Sequence, residues 1–256
     1  MKRILITILC LSCLCLTAAS WKGNVRRQKV ASWGSAPAWT DTNRYLYVFT
    51  GATNGDGNAI DAYNGYTGTV IGATIVVHTN TAGQVDAFWQ FDGSDDAVDV
   101  PATINGSADY TFGMWLQHRD GFKTDASAVP MEFNYDGNHV VRLNDYYAAS
   151  WYLNFRAYEP PCYQDITFGA AIVTNRWDFY VMIHANTNAY CYTNGVLATN
   201  VAQKNVTALV RSTIGCSRQN ASKYNFFKGW IYRPFAMTNN ISSNAIYDLY
   251  QNTKPL

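Results

Sequence analysis

Apolar and polar residues alternate along this chain in short runs. Val141 and Leu143 alternate with Arg142 and Asn144, and Trp151, Leu153 and Phe155 alternate with Tyr152, Asn154 and Arg156. A period of two is that of a strand with one buried face. Runs of this kind predict strands over 45–49, 69–78, 85–91, 110–118, 139–143, 151–156, 177–184 and 189–193. Between them stand Asn54-Gly55-Asp56-Gly57, Asp136-Gly137-Asn138 and Thr193-Asn194-Gly195, residues suited to tight turns with positive φ. Short strands punctuated by such turns predict an antiparallel sandwich. In the run 110–118, Phe112, Met114 and Leu116 read as core, which leaves Thr111, Gly113, Trp115 and Gln117 on the other face. In 177–184, Trp177, Phe179, Val181 and Ile183 read as core and Asp178, Tyr180, Met182 and His184 as outward. Only 242–251 has helical spacing, with Ser242 as cap and Ile246, Leu249 and Tyr250 on one side.

Composition supports the all-β reading. Aromatic residues reach 15 % and charged residues only 14 %, which excludes a disordered or coiled-coil chain. Of the 18 acidic residues only Glu132 and Glu159 are glutamate, so strong helix formers are scarce. A formal charge of +1, with scattered basic residues, excludes a nucleic-acid or anionic-membrane footprint. Residues 1–20 read as a signal peptide: Lys2 and Arg3, an apolar run from Ile4 to Leu16, then Thr17-Ala18-Ala19-Ser20. The apolar run is too short for a membrane span, and Cys10, Cys13 and Cys15 fit a lipoprotein signal badly. The expected location is secreted or cell-surface. Residues 21–38 form a basic linker or docking arm with Lys22, Arg26, Arg27 and Lys29, and 39–256 a single domain. Beyond the signal remain Cys162, Cys191 and Cys216, enough for one disulfide and a free or intermolecular thiol.

The order of several motifs resembles a laminin-G-like, concanavalin A-like jelly-roll domain. They are Tyr45-Leu-Tyr-Val-Phe49, Ile60-Asp61-Ala-Tyr-Asn-Gly65, Phe91-Asp92-Gly93-Ser94-Asp95-Asp96, Tyr110-Thr-Phe-Gly-Met-Trp115, Tyr192-Thr-Asn194-Gly195, Phe227-Lys-Gly229-Trp-Ile231 and the closing Ser243 to Tyr250. The resemblance covers about residues 40 to 252 and implies a two-sheet antiparallel jelly-roll sandwich with one short C-terminal helix. It leaves function open among lectins, adhesion modules, polysaccharide-binding modules and some enzymes.

Within two facing sheets, Trp115, Gln117, Arg142, Asn144, Tyr152, Asn154 and Arg156 are expected to share one open polar and aromatic face. That mixture suits carbohydrate, because an aromatic ring covers the C–H face of a sugar while Arg and Asn reach its hydroxyls. Asp92, Asp95 and Asp96, with Asp61, invite a calcium reading from their hard oxygen ligands. The late Gly-x-Ile-Asp that the resemblance would supply reads Gly229-Trp230-Ile231-Tyr232, without the carboxylate. Glycoside hydrolysis needs two carboxylates across the bond. Glu132, Asn134 and Asp136 have the one-face spacing of such a set, but the central position is an amide, and Glu159 precedes Pro160-Pro161. The expectation is therefore an exported, non-catalytic module that recognises carbohydrate or a glycosylated surface. The alternative is a structural or assembly subunit whose partners are copies of itself, and a polysaccharide hydrolase or lyase is the minor reading.

Overall fold

The computed structural model describes residues 45–256 apart from 63, 80–81, 102–103, 106–107, 120–127, 136–138, 148–150, 160–161, 204–205, 207–208 and 220. The expected signal, the basic arm and the Asp136-Gly137-Asn138 turn lie outside the described residues. Eighteen strands are β1 (Tyr45–Thr53), β2 (Ala59–Asp61), β3 (Thr67–Ile71), β4 (Thr74–Thr79), β5 (Val85–Asp92), β6 (Ala97–Val100), β7 (Tyr110–His118), β8 (Met131–Asn134), β9 (Val140–Tyr147), β10 (Trp151–Glu159), β11 (Cys162–Ala171), β12 (Trp177–Ala185), β13 (Asn188–Thr193), β14 (Val196–Ala202), β15 (Arg211–Ile214), β16 (Ser217–Gln219), β17 (Ser222–Tyr224) and β18 (Lys228–Met237). Among the described residues one helix, α1 (Ser243–Asn252), follows them.

The pairing builds an antiparallel jelly-roll sandwich of two layers. The first runs β4-β5-β18-β7-β12-β13-β14, with β1 also beside β18, and the second runs β11-β10-β9-β8-β15-β6-β3. They join at a corner: β1 pairs β18 through Tyr45, Tyr47 and Val48, then β2 through Phe49 and Thr53, and β2 passes the ladder to β3. Leu116, Met114 and Phe112 of the first layer and Val141, Leu143, Leu153 and Phe155 of the second meet in one buried core, as their alternation predicts. Phe112 bridges the layers, its ring 5.5 Å from Phe133 and 6.2 Å from Phe155. The buried Tyr47 hydroxyl is 2.7 Å from Ser212 Oγ, so a polar tip in the interior keeps a partner.

Two expectations change. The run 69–78 is two strands, β3 and β4, broken at Gly72 with φ 70°. A Cβ there would sit 2.2 Å from Asp96 Oδ1, so both the backbone and the space demand glycine. In β12 the inward set is reversed: Tyr180 and Met182 belong to the core, while register pairs Trp177 with Gln117 and Phe179 with Trp115 on the outer face. The helix forms with Ser242 Oγ accepting from Ala245 N at 3.2 Å, and it buries Ile246 and Leu249. At Thr193-Asn194-Gly195 the turn has φ 52° and 80° at its two central residues. Its Asn194 Oδ1 accepts from Phe179 N at 2.8 Å, which ties the turn to β12.

Candidate functional site

The predicted ligand residues do not form one surface. Trp115 and Gln117 stand on β7 of the first layer, while Arg142, Asn144, Tyr152, Asn154 and Arg156 stand on β9 and β10 of the second. The outer faces of two packed layers point in opposite directions, so these sets cannot meet. Nor is Trp115 open, being 1 % exposed. Its ring stacks 5.5 Å from Tyr250 of α1 and 5.0 Å from Phe179, and its Nε1 donates to Thr253 Oγ1 at 3.0 Å. Strand alternation places Trp115 outward, and the C-terminal helix then covers it.

On the second layer the register aligns Asp99, Thr213, Glu132, Arg142, Arg156 and Asp165 in one row across six strands. Glu132, fully buried, is its hub. Oε1 accepts from Asn134 Nδ2 at 2.6 Å and Arg218 N at 2.9 Å, and Oε2 from Ser217 Oγ at 2.5 Å and Arg142 Nη1 at 3.3 Å. The β16–β17 hairpin lies along this row, with Arg218 Nη1 2.8 Å and Lys223 Nζ 2.9 Å from Asp99 Oδ2. Further along, Arg156 holds Asp165 through a two-pronged pair, Nε to Oδ1 at 2.5 Å and Nη2 to Oδ2 at 2.6 Å. A carboxylate engaged by four donors serves as a structural anchor of this row. Arg142, Asn144 and Asn154 are buried and only Tyr152 and Arg156 are partly exposed, so most of this face meets no ligand arriving from solvent.

Of the four predicted metal-type carboxylates, three converge. One oxygen each of Asp92, Asp95 and Asp96 lies within 4.8 Å of the others. Asp61 stands apart as a corner brace, its Oδ1 accepting from Val48 N at 2.7 Å. Asp96 Oδ2 accepts from Asp92 N at 2.7 Å, and Asp92 Oδ1 from Ser94 N at 2.7 Å. Burial, then the neighbouring Asp92 and Asp95, push the Asp96 carboxyl above its ordinary value. An all-carboxylate set is the donor chemistry a hard cation takes, and Asp92, Asp95 and Asp96 are the residues that would hold one. Cys191 and Cys216 are both free and buried, so neither takes part in the one disulfide expected among Cys162, Cys191 and Cys216, and that expectation is corrected.

The outer face of the first layer carries a feature that the alternation argument missed. Trp177, Gln117, Trp230 and Gln90 stand in register across β12, β7, β18 and β5. The two indoles, each partly exposed, lean together over the nearly buried Gln117 until their centroids are 6.3 Å apart at an interplanar angle of 37°. Behind them Phe88 is wedged 4.6 Å from Trp230 and 5.4 Å from Trp177, and Tyr232 is 6.3 Å from Trp177. Phe88 and Tyr232 are buried, so they fix the pose of the tryptophans. The rim is polar. Arg119 lies over Trp230 with its guanidinium carbon 4.3 Å from the ring centroid, and its Nη1 donates to Gln117 Oε1 at 3.1 Å. Gln90 is exposed beside it, and Arg176 is tied to Asp178 at 2.8 Å. A preformed aromatic shelf edged by amides and a guanidinium offers an apolar plane and directed donors together. The signal for it lay in Gly229-Trp230-Ile231-Tyr232: Ile231 is core, so Trp230 must face out.

The sequence profile of a laminin G type family, described as the concanavalin A-like lectin/glucanases superfamily, matches residues 92–232, more than half of the chain. No curated protein matches it. Among solved structures, the chain is similar to domain 4 of AbnA, a GH43 extracellular arabinanase from Geobacillus stearothermophilus, in complex with arabinotriose. That likeness has a TM-score of 0.62 at 17 % identity and covers 81 % of this chain and 98 % of the other. It is also similar to the binding domain of botulinum neurotoxin DC in complex with SialylT, with a TM-score of 0.57 at 14 % identity, covering 83 % of this chain and 52 % of that one. The binding domain of Paraclostridial mosquitocidal protein 1 matches with a TM-score of 0.63 at 11 % identity, covering 82 % and 52 %. The chain thus spans nearly all of the arabinanase domain and about half of the toxin binding domains, and at these identities the likeness is one of fold.

Proposed function

We infer that this chain, which belongs to the concanavalin A-like lectin/glucanases superfamily, is a non-catalytic module that binds carbohydrate on the Trp177–Trp230 shelf. The observation that carries the reading is the pair of partly exposed indoles, held 6.3 Å apart over Gln117 by two buried rings. Each indole presents a π-face that covers the C–H face of a sugar, and the exposed Gln90 and partly exposed Arg119 side chains stand where ring hydroxyls would reach them. Rigid aromatic anchors lose little entropy on binding. The arabinanase domain with its arabinotriose, and the toxin binding domains, support a binding role for this fold. The engagement of both Glu132 oxygens supports recognition over hydrolysis. The sequence of residues 1–20, which reads as a signal peptide, supports export to a place where glycans are displayed.

A glycan array with the wild-type chain, followed by titration of its best ligand against Trp177→Ala and Trp230→Ala, tests this. Each substitution should weaken binding by on the order of tenfold or more, since each removes a stacking plane. Binding to no glycan, or unchanged affinity in both variants, would overturn it. Partners that are only copies of the chain itself, seen as a large oligomer in solution, would favour the assembly reading instead.

A further inference from the structure

Resting on carbohydrate binding at the shelf, we propose that the sugar it takes carries a carboxylate and that Arg119 is the group that holds it. Four other arginines already meet an acid: Arg142 meets Glu132, Arg156 meets Asp165, Arg176 meets Asp178 and Arg218 meets Asp99. Arg119 does not. Among the described residues its guanidinium is held by an amide oxygen, Gln117 Oε1, and by the face of Trp230, and no carboxylate pairs with it. A guanidinium has five N–H donors in a fixed plane, and the bond to Gln117 uses one of them. Stacking on the indole fixes that plane, so the remaining donors are presented as a ready fork, the geometry that matches a carboxylate's two oxygens.

Charge around the shelf agrees. Two further cations stand near, Arg176 beside Trp177 and Lys228 beside Gly229, which pairs with His118 at the end of β7. Asp178 is occupied by Arg176 and by Asn194 Nδ2 at 2.8 Å, and so does not compete for Arg119. Asp92, on β5, is registered opposite Lys228 of β18, with its Oδ1 engaged by Ser94 N, and Asp86 of the same strand is hydrogen-bonded to Tyr232. The partial burial of Arg119 removes some of the water that would screen a bound anion, so its charge-assisted bonds count for more than those of an arginine in free solvent.

The test is a matched set of ligands on the full chain, read by indole fluorescence and calorimetry. An array carrying sialylated and uronate-containing oligosaccharides beside neutral counterparts comes first. Titrations of 3′-sialyllactose against lactose and of trigalacturonate against its methyl ester follow. The acidic member of at least one pair should bind about tenfold more tightly at low salt, and the advantage should shrink as ionic strength rises. Arg119→Gln should bring the ratio of acid to neutral affinity close to one, whereas Arg119→Lys, which keeps charge but loses the fork, should retain only part of it. Neutral sugars bound as well as their acidic partners by the wild type, or an acid preference that survives in Arg119→Gln, would overturn the proposal while leaving the shelf as a sugar site. No binding to either class would overturn the site itself.

Discussion

Trp115→Ala separates the two roles that a tryptophan on an outer strand face can have. The indole is 1 % exposed, packed between Phe179 at 5.0 Å and Tyr250 at 5.5 Å, and its Nε1 is bonded to Thr253 Oγ1. Truncation opens a cavity beneath α1, and large aromatic truncations in packed sites cost about 3–5 kcal/mol. The lost hydrogen bond adds about 1 kcal/mol. For a chain of this size that corresponds to a Tm lower by roughly 8–24 °C. Trp177→Ala removes a ring that already meets solvent, and its cost is expected to be about 1–2 kcal/mol. Urea unfolding of both variants, with sugar titrations at a temperature where both are folded, gives the comparison. Trp115→Ala should be strongly destabilised with near-native affinity once folded, and Trp177→Ala the reverse. A Trp115→Ala variant with wild-type stability and lost binding would refute the burial of this residue as the reason for its presence.

Glu132→Gln removes the only carboxylate among the described residues that is bonded to the buried Arg142 guanidinium, and loss of one partner of a buried pair should cost about 3–5 kcal/mol in chemical denaturation without altering sugar affinity. Gly72→Ala forces a side chain into a backbone with φ 70° and against Asp96, and its Tm should fall by an amount equivalent to about 1–3 kcal/mol. Burial pushes the Cys216 thiol up to about 12, so unfolding at alkaline pH releases a proton that the folded thiol keeps. Its contribution to stability is full below 9 and is lost as pH rises through 12, and Cys216→Ala should flatten the Tm profile over that window. Cys191 is raised still further by burial, so peptide mass spectrometry after iodoacetamide at pH 8 should find Cys191 and Cys216 modified only in denaturant.

The sandwich was legible because its local signals agree with one another. In β9 and β10 one face is apolar and the other largely polar, so alternation alone tells the inside from the outside. Ser242 announced the helix, and Asn194-Gly195 the turn beside it. The site was harder to read, for two physical reasons. In β12 and in β7 around Trp115 both faces carry large apolar groups, because one lies in the core and the other lies beneath α1 or within the Trp177 shelf, and period two cannot then say which is which. Pairing order is the second reason. Side chains of β7 and of β9 meet different solvent because β18 and β12 flank the first while β8 and β10 flank the second, and no local pattern encodes that long-range choice. Trp230 was within reach, since Ile231 can only be core, but its partnership with Trp177 passes through Gln117 on a strand distant in sequence.

The central place of β18 in the first layer bears on how the chain folds. It pairs with β1, β5 and β7 at once, and Tyr45, at the start of the described chain, is registered against Met237 near its end. β1, β5 and β7 are therefore joined into one layer only when β18, the last of the described strands, is in place. Contacts of such separation make folding slow, in the range of milliseconds to seconds, and keep the edge of β7 bare in any shorter nascent chain. The same strand supplies Trp230, so the aromatic shelf and the closure of the sheet are completed in a single late step.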